Sequence, residues 1–242
     1  KASGNVAIGG ITARAGNGTM TDCVNEGVVK DDSESKTGMV AGIAGHVDSR
    51  AMTMTNCDNS GEISGKFNSG DKDAVKIAGA IAYAQKTVSL DGCDMTGNLY
   101  CNRETTASHV YMGGLVAELP KGKEPKVVLK NCNVSGTIQN KDTTVESRTG
   151  IGGFVGFCCS NEINNCHTKA SITNASTANV YVGGFVGQIE GFDPISTDIT
   201  NCSVNSNISP NMTLYAGMLV GRLTYSPAKT KLLNMQNIAV VG

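Results

Sequence analysis

Tryptophan is absent from the 242 residues, and aromatic side chains of all kinds make up only 5% of them. Proline occurs five times and histidine three times. Neither charge predominates, since 20 basic and 21 acidic side chains leave a formal net charge of −1. That balance excludes the basic footprint of a nucleic-acid binder or of a protein held to anionic membranes by charge. No apolar run approaches the roughly 20 residues of a membrane-spanning helix, and no segment carries a helical apolar stripe. Glycine, by contrast, is abundant at 30 residues, and Asn, Ser and Thr are frequent. This mixture suits many short strands and turns. The length allows one large domain or two small ones.

Two phrases alternate down the whole chain. The first is glycine-rich and reads IGGIT (8–12), VAGIA (40–44), IAGAI (77–81), MGGLV (112–116), IGGFV (151–155), VGGFV (182–186) and AGMLV (216–220). The second reads MTDC (20–23), MTNC (54–57), LDGC (90–93), LKNC (129–132), INNC (163–166), ITNC (199–202) and LLNM (232–235). The period is 31 to 39 residues. Six positions after the cysteine column stand Val29, Ile63, Leu99, Ile138, Ile172, Ile208 and Val241. Each unit reads as two or three short strands that cannot bury their own apolar face, so units must stack to make a core. The expectation is an all-β fold, a single-stranded right-handed parallel β-helix (β-solenoid) of about seven coils forming one domain over 1–242. The hand follows from the rule for parallel crossovers.

The residue before the cysteine is Asp22, Asn56, Gly92, Asn131, Asn165, Asn201 or Asn234. These types tolerate a left-handed backbone, and stacked Asn side chains can bond in ladders. The doubled glycine marks a tight bend or a close backbone approach. Six of the nine cysteines share one repeat position, with Met235 in the seventh. Stacked coils lie about 4.8 Å apart, whereas a disulfide wants its Cβ atoms near 3.8 Å and converging. A metal site would want converging thiolates, usually with histidine. The column is therefore read as buried, reduced, inert thiols, with no metal and no cofactor assigned. So many free thiols point to a reducing or anaerobic setting.

The phrases GGLVA (113–117), GGFVG (152–156 and 183–187) and ITNC (199–202) resemble the GLUG-motif repeats of bacterial surface proteins, including segments of adhesins and of immunoglobulin-A-cleaving proteases. The resemblance runs through all seven units, with departures at Ala80 and Met218. It implies a stalk or binding surface without catalytic groups of its own, secreted or on the cell surface of an anaerobic bacterium. The implied partner is a host or cell-surface protein or glycan, or a neighbouring domain of the same chain. The chain starts and stops almost in phase with the repeat, so a segment of a longer surface protein is expected.

Function is expected where the repeats vary, because insertions in a solenoid gather on one edge. The segments 118–128, 188–198 and 222–231 are the longest between the two phrases. They supply the candidate binding residues Pro120, Lys123, Phe192, Asp193 and Tyr225. A second candidate set is the tyrosines before the glycines, Tyr111, Tyr181 and Tyr215. Around VYVGGFVG both faces of the strand are apolar, so something is expected to cover the outer one. The enzymatic alternative is a carbohydrate-active β-helix centred on Asp58 and Asp94, stacked at the spacing of a retaining glycosidase pair, about 5–5.5 Å. A purely structural stalk is the third reading.

Overall fold

Asp22, Asn56, Asn131, Asn165 and Asn201 all have φ between 51° and 55°, and Gly92 has φ 63°. This left-handed residue at one position of each repeat turns the strand before it into the strand after it, and it explains why only Asn, Asp and Gly occupy the position. A computed structural model of the chain describes residues 5–32, 37–48, 50–67, 74–103, 109–120, 126–141, 148–176, 179–191, 195–210, 214–225 and 231–241. Among them there are strands and turns but no helix, and hence none long and apolar enough to cross a membrane.

All strand pairings join one repeat to the next and all are parallel, so the chain is a β-solenoid. The first sheet holds the seven strands that enter the glycine phrase: Asn5–Gly9, Thr37–Ala41, Ala74–Ala78, His109–Gly113, Arg148–Gly152, Val180–Gly183 and Leu214–Gly217. The second holds the seven that leave it: Thr12–Ala15, Ala44–Val47, Ile81–Ala84, Val116–Glu118, Val155–Cys158, Val186–Gly191 and Val220–Tyr225. The third contains the strands on both sides of the left-handed residue. The fourth, of six strands, carries the column from Val29 to Ile208. An internal coil therefore has five short strands on four sheets, more than the two or three expected, because each phrase bends the chain once and splits what reads as one strand.

The seventh coil shifts the expected register. Met235 pairs with Ile199, not with Cys202, and the residue on Cys202 is Ile238. Asn237, with φ 54°, replaces Asn234 as the left-handed residue. Met235 thus belongs to the apolar column three positions earlier, and Val241 falls outside the column of Ile208.

The main core runs the length of the stack through Val40, Ile77, Met112 and Ile151 of the first sheet, Leu90, Leu129 and Ile163 of the third, and Leu99 and Ile138 of the fourth. Cys57, Cys93, Cys101, Cys132, Cys158, Cys166 and Cys202 lie in it, the partly exposed Cys23 of the first coil packs against it, and none of the nine cysteines is in a disulfide. Phe154 and Phe185 pack inside with their rings tilted at 43° and centroids 5.3 Å apart. Ala80 is fully buried in the same core.

Glycine is required at the second position of the bend for a reason of contact. A Cβ on Gly42, Gly79, Gly114, Gly153 or Gly184 would lie inside van der Waals contact of the carbonyl of the corresponding residue one coil on. Backbone cannot move aside there without breaking the ladder.

Candidate functional site

The outer face of the glycine-phrase strand is covered, and the covering is the chain itself. The bend folds the second sheet back against the outside of the first, making a seam with its own small cores. One contains Ala74, Ala78, Tyr111, Ala117 and Phe157, and the other Met39, Ala41 and Ala82 with Ala7 and Tyr83 packed on it. Nearest the bend the seam admits only small residues. A Cβ on Gly156 would meet the Met112 backbone, and one on Gly221 the Val182 backbone. A signal for this was present in the sequence: three positions after the second glycine stand Ala13, Gly45, Ala82, Ala117, Gly156, Gly187 and Gly221.

Further from the bend, larger side chains of the two sheets meet. The Tyr111 and Phe157 rings lie 4.9 Å apart. Lys76 Nζ is 3.2 Å from Glu118 Oε2 and 5.0 Å from the centre of the Tyr83 ring. His46 packs on Tyr83 at 5.1 Å. Asp48 accepts two hydrogen bonds from Arg14, at 2.6 and 2.9 Å, which hold its carboxyl below the usual range. Burial pushes the His46 imidazole down and the Tyr83 and Tyr111 hydroxyls up, so the neutral forms are favoured.

The three candidate tyrosines therefore differ. Tyr111 and Tyr181 are only 6% and 8% exposed, and Tyr215 is 60% exposed. Arg222 of the second sheet donates from Nη1 to Tyr181 Oη at 2.9 Å and sits 4.7 Å above its ring. The Tyr215 ring stacks on Tyr181 at 5.5 Å. Among the three, Tyr215 alone presents a face to solvent.

The described residues of the long segments in coils six and seven, 188–191, 195–198, 222–225 and 231, are strand rather than loop. The second-sheet strands there run on to Gly191 and Tyr225, which pair with each other. The third-sheet strands begin early, at Ile195 and Lys231, which also pair. The result is a pair of extended ribbons stacked in register, beyond the four-residue strands of most other coils. Near their base Glu190 faces Arg148 at 3.6 Å and accepts from Gln188 at 2.7 Å. Pro120, in the segment of coil four, is half-buried, and its carbonyl accepts the Cys159 thiol at 3.4 Å. Lys123, Phe192 and Asp193 lie outside the described residues, as does the side chain of Tyr225.

Asp58 and Asp94 stand on neighbouring coils as expected, but their carboxylates serve the backbone. Asp58 Oδ1 accepts the N–H of Asp94 at 2.9 Å. Asp94 Oδ1 accepts both the backbone N–H and the side-chain amide of Asn133, each at 2.9 Å. Above them His167 Nδ1 bonds Ser203 Oγ at 2.8 Å. Among the described residues no group of three or more His, Cys, Asp or Glu side chains is placed to hold a metal ion.

The model of the GLUG motif matches residues 178–209, which span the sixth coil and its glycine and cysteine phrases, consistent with a GLUG-motif repeat protein. Comparison with curated proteins and with solved structures gives no match.

Proposed function

We propose that the chain is a non-enzymatic binding module of a bacterial cell surface, in which the first five coils act as a rigid spacer and the ribbons of coils six and seven make the contact. The observation that carries this reading is the in-register pairing of Gly191 with Tyr225 and of Ile195 with Lys231. It holds two variable segments side by side on a scaffold whose Asn and Asp columns at the cysteine phrase bond to one another from coil to coil. Recognition residues on a rigid scaffold lose little entropy on binding. The surface setting is taken from the resemblance of the repeats to those of bacterial surface proteins, and the GLUG motif that carries it matches residues 178–209. A host or cell-surface protein or a glycan is the ligand class.

The enzymatic alternative draws no support from Asp58 and Asp94, since each carboxylate already accepts backbone N–H groups. A glycan and host-matrix array tests the proposal, run on the wild type and on a variant with 192–194 and 226–230 replaced by short turns. Binding that disappears in the trimmed variant supports it. Equal binding by both forms moves the contact elsewhere, and no binding by either leaves the spacer role alone.

A further inference from the structure

One histidine of the seam is held where an added proton has no acceptor. His46 pairs in register with Arg14 and Tyr83 on the neighbouring coils of the second sheet. Its ring packs on the Tyr83 ring at 5.1 Å, and Tyr83 in turn covers the small core of Met39, Ala41 and Ala82. Its Nε2 is buried and makes no hydrogen bond. Asp48, at the end of the same strand, brings Oδ1 to 3.5 Å from that nitrogen. This oxygen already accepts Arg14 Nη2 at 2.9 Å, and its twin accepts Arg14 Nε at 2.6 Å. Across the seam the first sheet contributes Lys76, paired with Glu118 at 3.2 Å. Arg14 and Lys76 both repel a positive charge on His46, against the attraction of Asp48. A proton on His46 thus places a cation in the field of two others, in a half-buried site whose carboxylate is engaged.

We propose that His46 is an acid-sensitive latch of the seam, which holds the first and second sheets together in coils two and three while neutral and loosens them locally once protonated. Burial pushes the imidazole below its ordinary 6.5. The stabilising contribution is therefore complete above about pH 6.5 and is lost as pH falls through the lower value of the folded state. Asp48, held below the usual carboxylate range by Arg14, stays charged through that window, so the change belongs to His46. Nearer the bend the sheets touch through Gly45 and the Ile8 backbone, which confines the loosening to the outer part of the seam. The latch is separate from the ribbons of coils six and seven and independent of what they bind.

Amide hydrogen exchange tests this, read over 37–47 and 74–84 at about pH 8 and about pH 5, the span in which histidine titrates, and corrected for the intrinsic pH dependence of exchange. Four chains are compared: the wild type, His46→Gln, His46→Phe and His167→Gln. Gln stays neutral throughout, Phe keeps a ring against Tyr83, and His167 is an exposed histidine of the third sheet. In acid the corrected exchange of these segments should rise several-fold in the wild type and in His167→Gln, and in neither His46 variant. Either His46 variant suffices where the other does not fold. The proposal is overturned if the wild type shows no rise, if a folded His46 variant keeps it, or if the rise is equal in all coils.

Discussion

The backbone N–H of Cys57 donates to the sulfur of Cys93 on the next coil, at 3.4 Å. The same bond joins Cys132 to Cys166 at 3.5 Å and Cys166 to Cys202 at 3.4 Å. Each of these thiols in turn faces the carbonyl two residues before it, as Cys132 does with Lys130 at 3.1 Å. The left-handed residue rotates the following N–H away from the carbonyl ladder, and the stacked sulfur receives it. The cysteine column is thus a set of small buried hydrogen-bonding groups rather than inert filler, and a buried N–H left without its acceptor costs about 1–3 kcal/mol.

Replacement at Cys93 separates packing from hydrogen bonding. Cys93→Val keeps an apolar side chain of similar size but removes the acceptor for Cys57 N–H. Cys93→Ser keeps an acceptor. Chemical unfolding should show the Val variant less stable than the Ser variant by about 1 kcal/mol or more. The opposite order would mean that the sulfur acts only as filler.

At Asn165, φ is 52°, and Nδ2 donates to Asn131 Oδ1 at 2.7 Å. Asn165→Gly loses the side-chain bond but accepts the backbone. Asn165→Ala loses the bond and adds left-handed strain of about 1–2 kcal/mol. The expected stability order in thermal melts is Asn, then Gly, then Ala. Equal losses for Gly and Ala would show that the backbone carries no strain there.

Much of this architecture is legible in the sequence, because a solenoid repeats its constraints. Glycine recurs at 42, 79, 114, 153 and 184 wherever a carbonyl from the next coil excludes a Cβ. Asn recurs where the backbone is left-handed. The slip in the last coil has a physical source. Asn234 and Asn237 each precede an apolar residue, and the cysteine that would distinguish them is Ile238. The column of Met20, Met54 and Leu90 resolves the choice, since Met235 continues it. The seam between the first and second sheets is less legible, because Lys76 and Glu118 sit at register positions that become neighbours only after the bend folds the sheets together. The binding segments follow no repeated constraint at all, so composition says little about their partner.

Gly153→Ala should be among the most damaging single-methyl additions in the chain. Its Cβ would press on the Gly184 carbonyl and the Thr168 hydroxyl. Strain of this kind typically costs about 1–3 kcal/mol, occasionally more. Gly16→Ala, where a Cβ meets nothing within 4 Å, is the matched control and should leave the unfolding midpoint nearly unchanged. A comparable loss at both sites would contradict the close coil-to-coil approach at the bend.

Asp94→Asn retains Oδ1 as an acceptor for the Asn133 N–H, whereas Asp94→Ala removes it. The Asn variant should melt close to the wild type and the Ala variant lower, by about 1 kcal/mol in stability. Polysaccharide turnover by the wild type that vanishes in Asp94→Asn would instead assign the carboxylate to catalysis.

Cys57, Cys93, Cys132, Cys166 and Cys202 form one buried column of reduced, hydrogen-bonded thiols, and thiol labelling followed by mass spectrometry tests this most directly. Burial raises the Cys57 thiol to about 11, and the hydrogen bond with Cys166, followed by burial, raises Cys132 to about 12, against an ordinary value of 9.0. Cys166, lowered by its bond to Cys132 but raised by Cys202 and by burial, also stands at about 12. Cys202, hydrogen-bonded by Cys166, moves down instead. For the raised thiols the folded state holds its protons longer than the unfolded chain. Their stabilising contribution is complete below about pH 9 and is lost as pH rises through about 11–12. At pH 8, Cys57, Cys93, Cys132 and Cys166 should stay unlabelled in the native protein and should all be labelled in denaturant without reductant. Prompt native labelling of these positions, or a disulfide between any two of them, would contradict it.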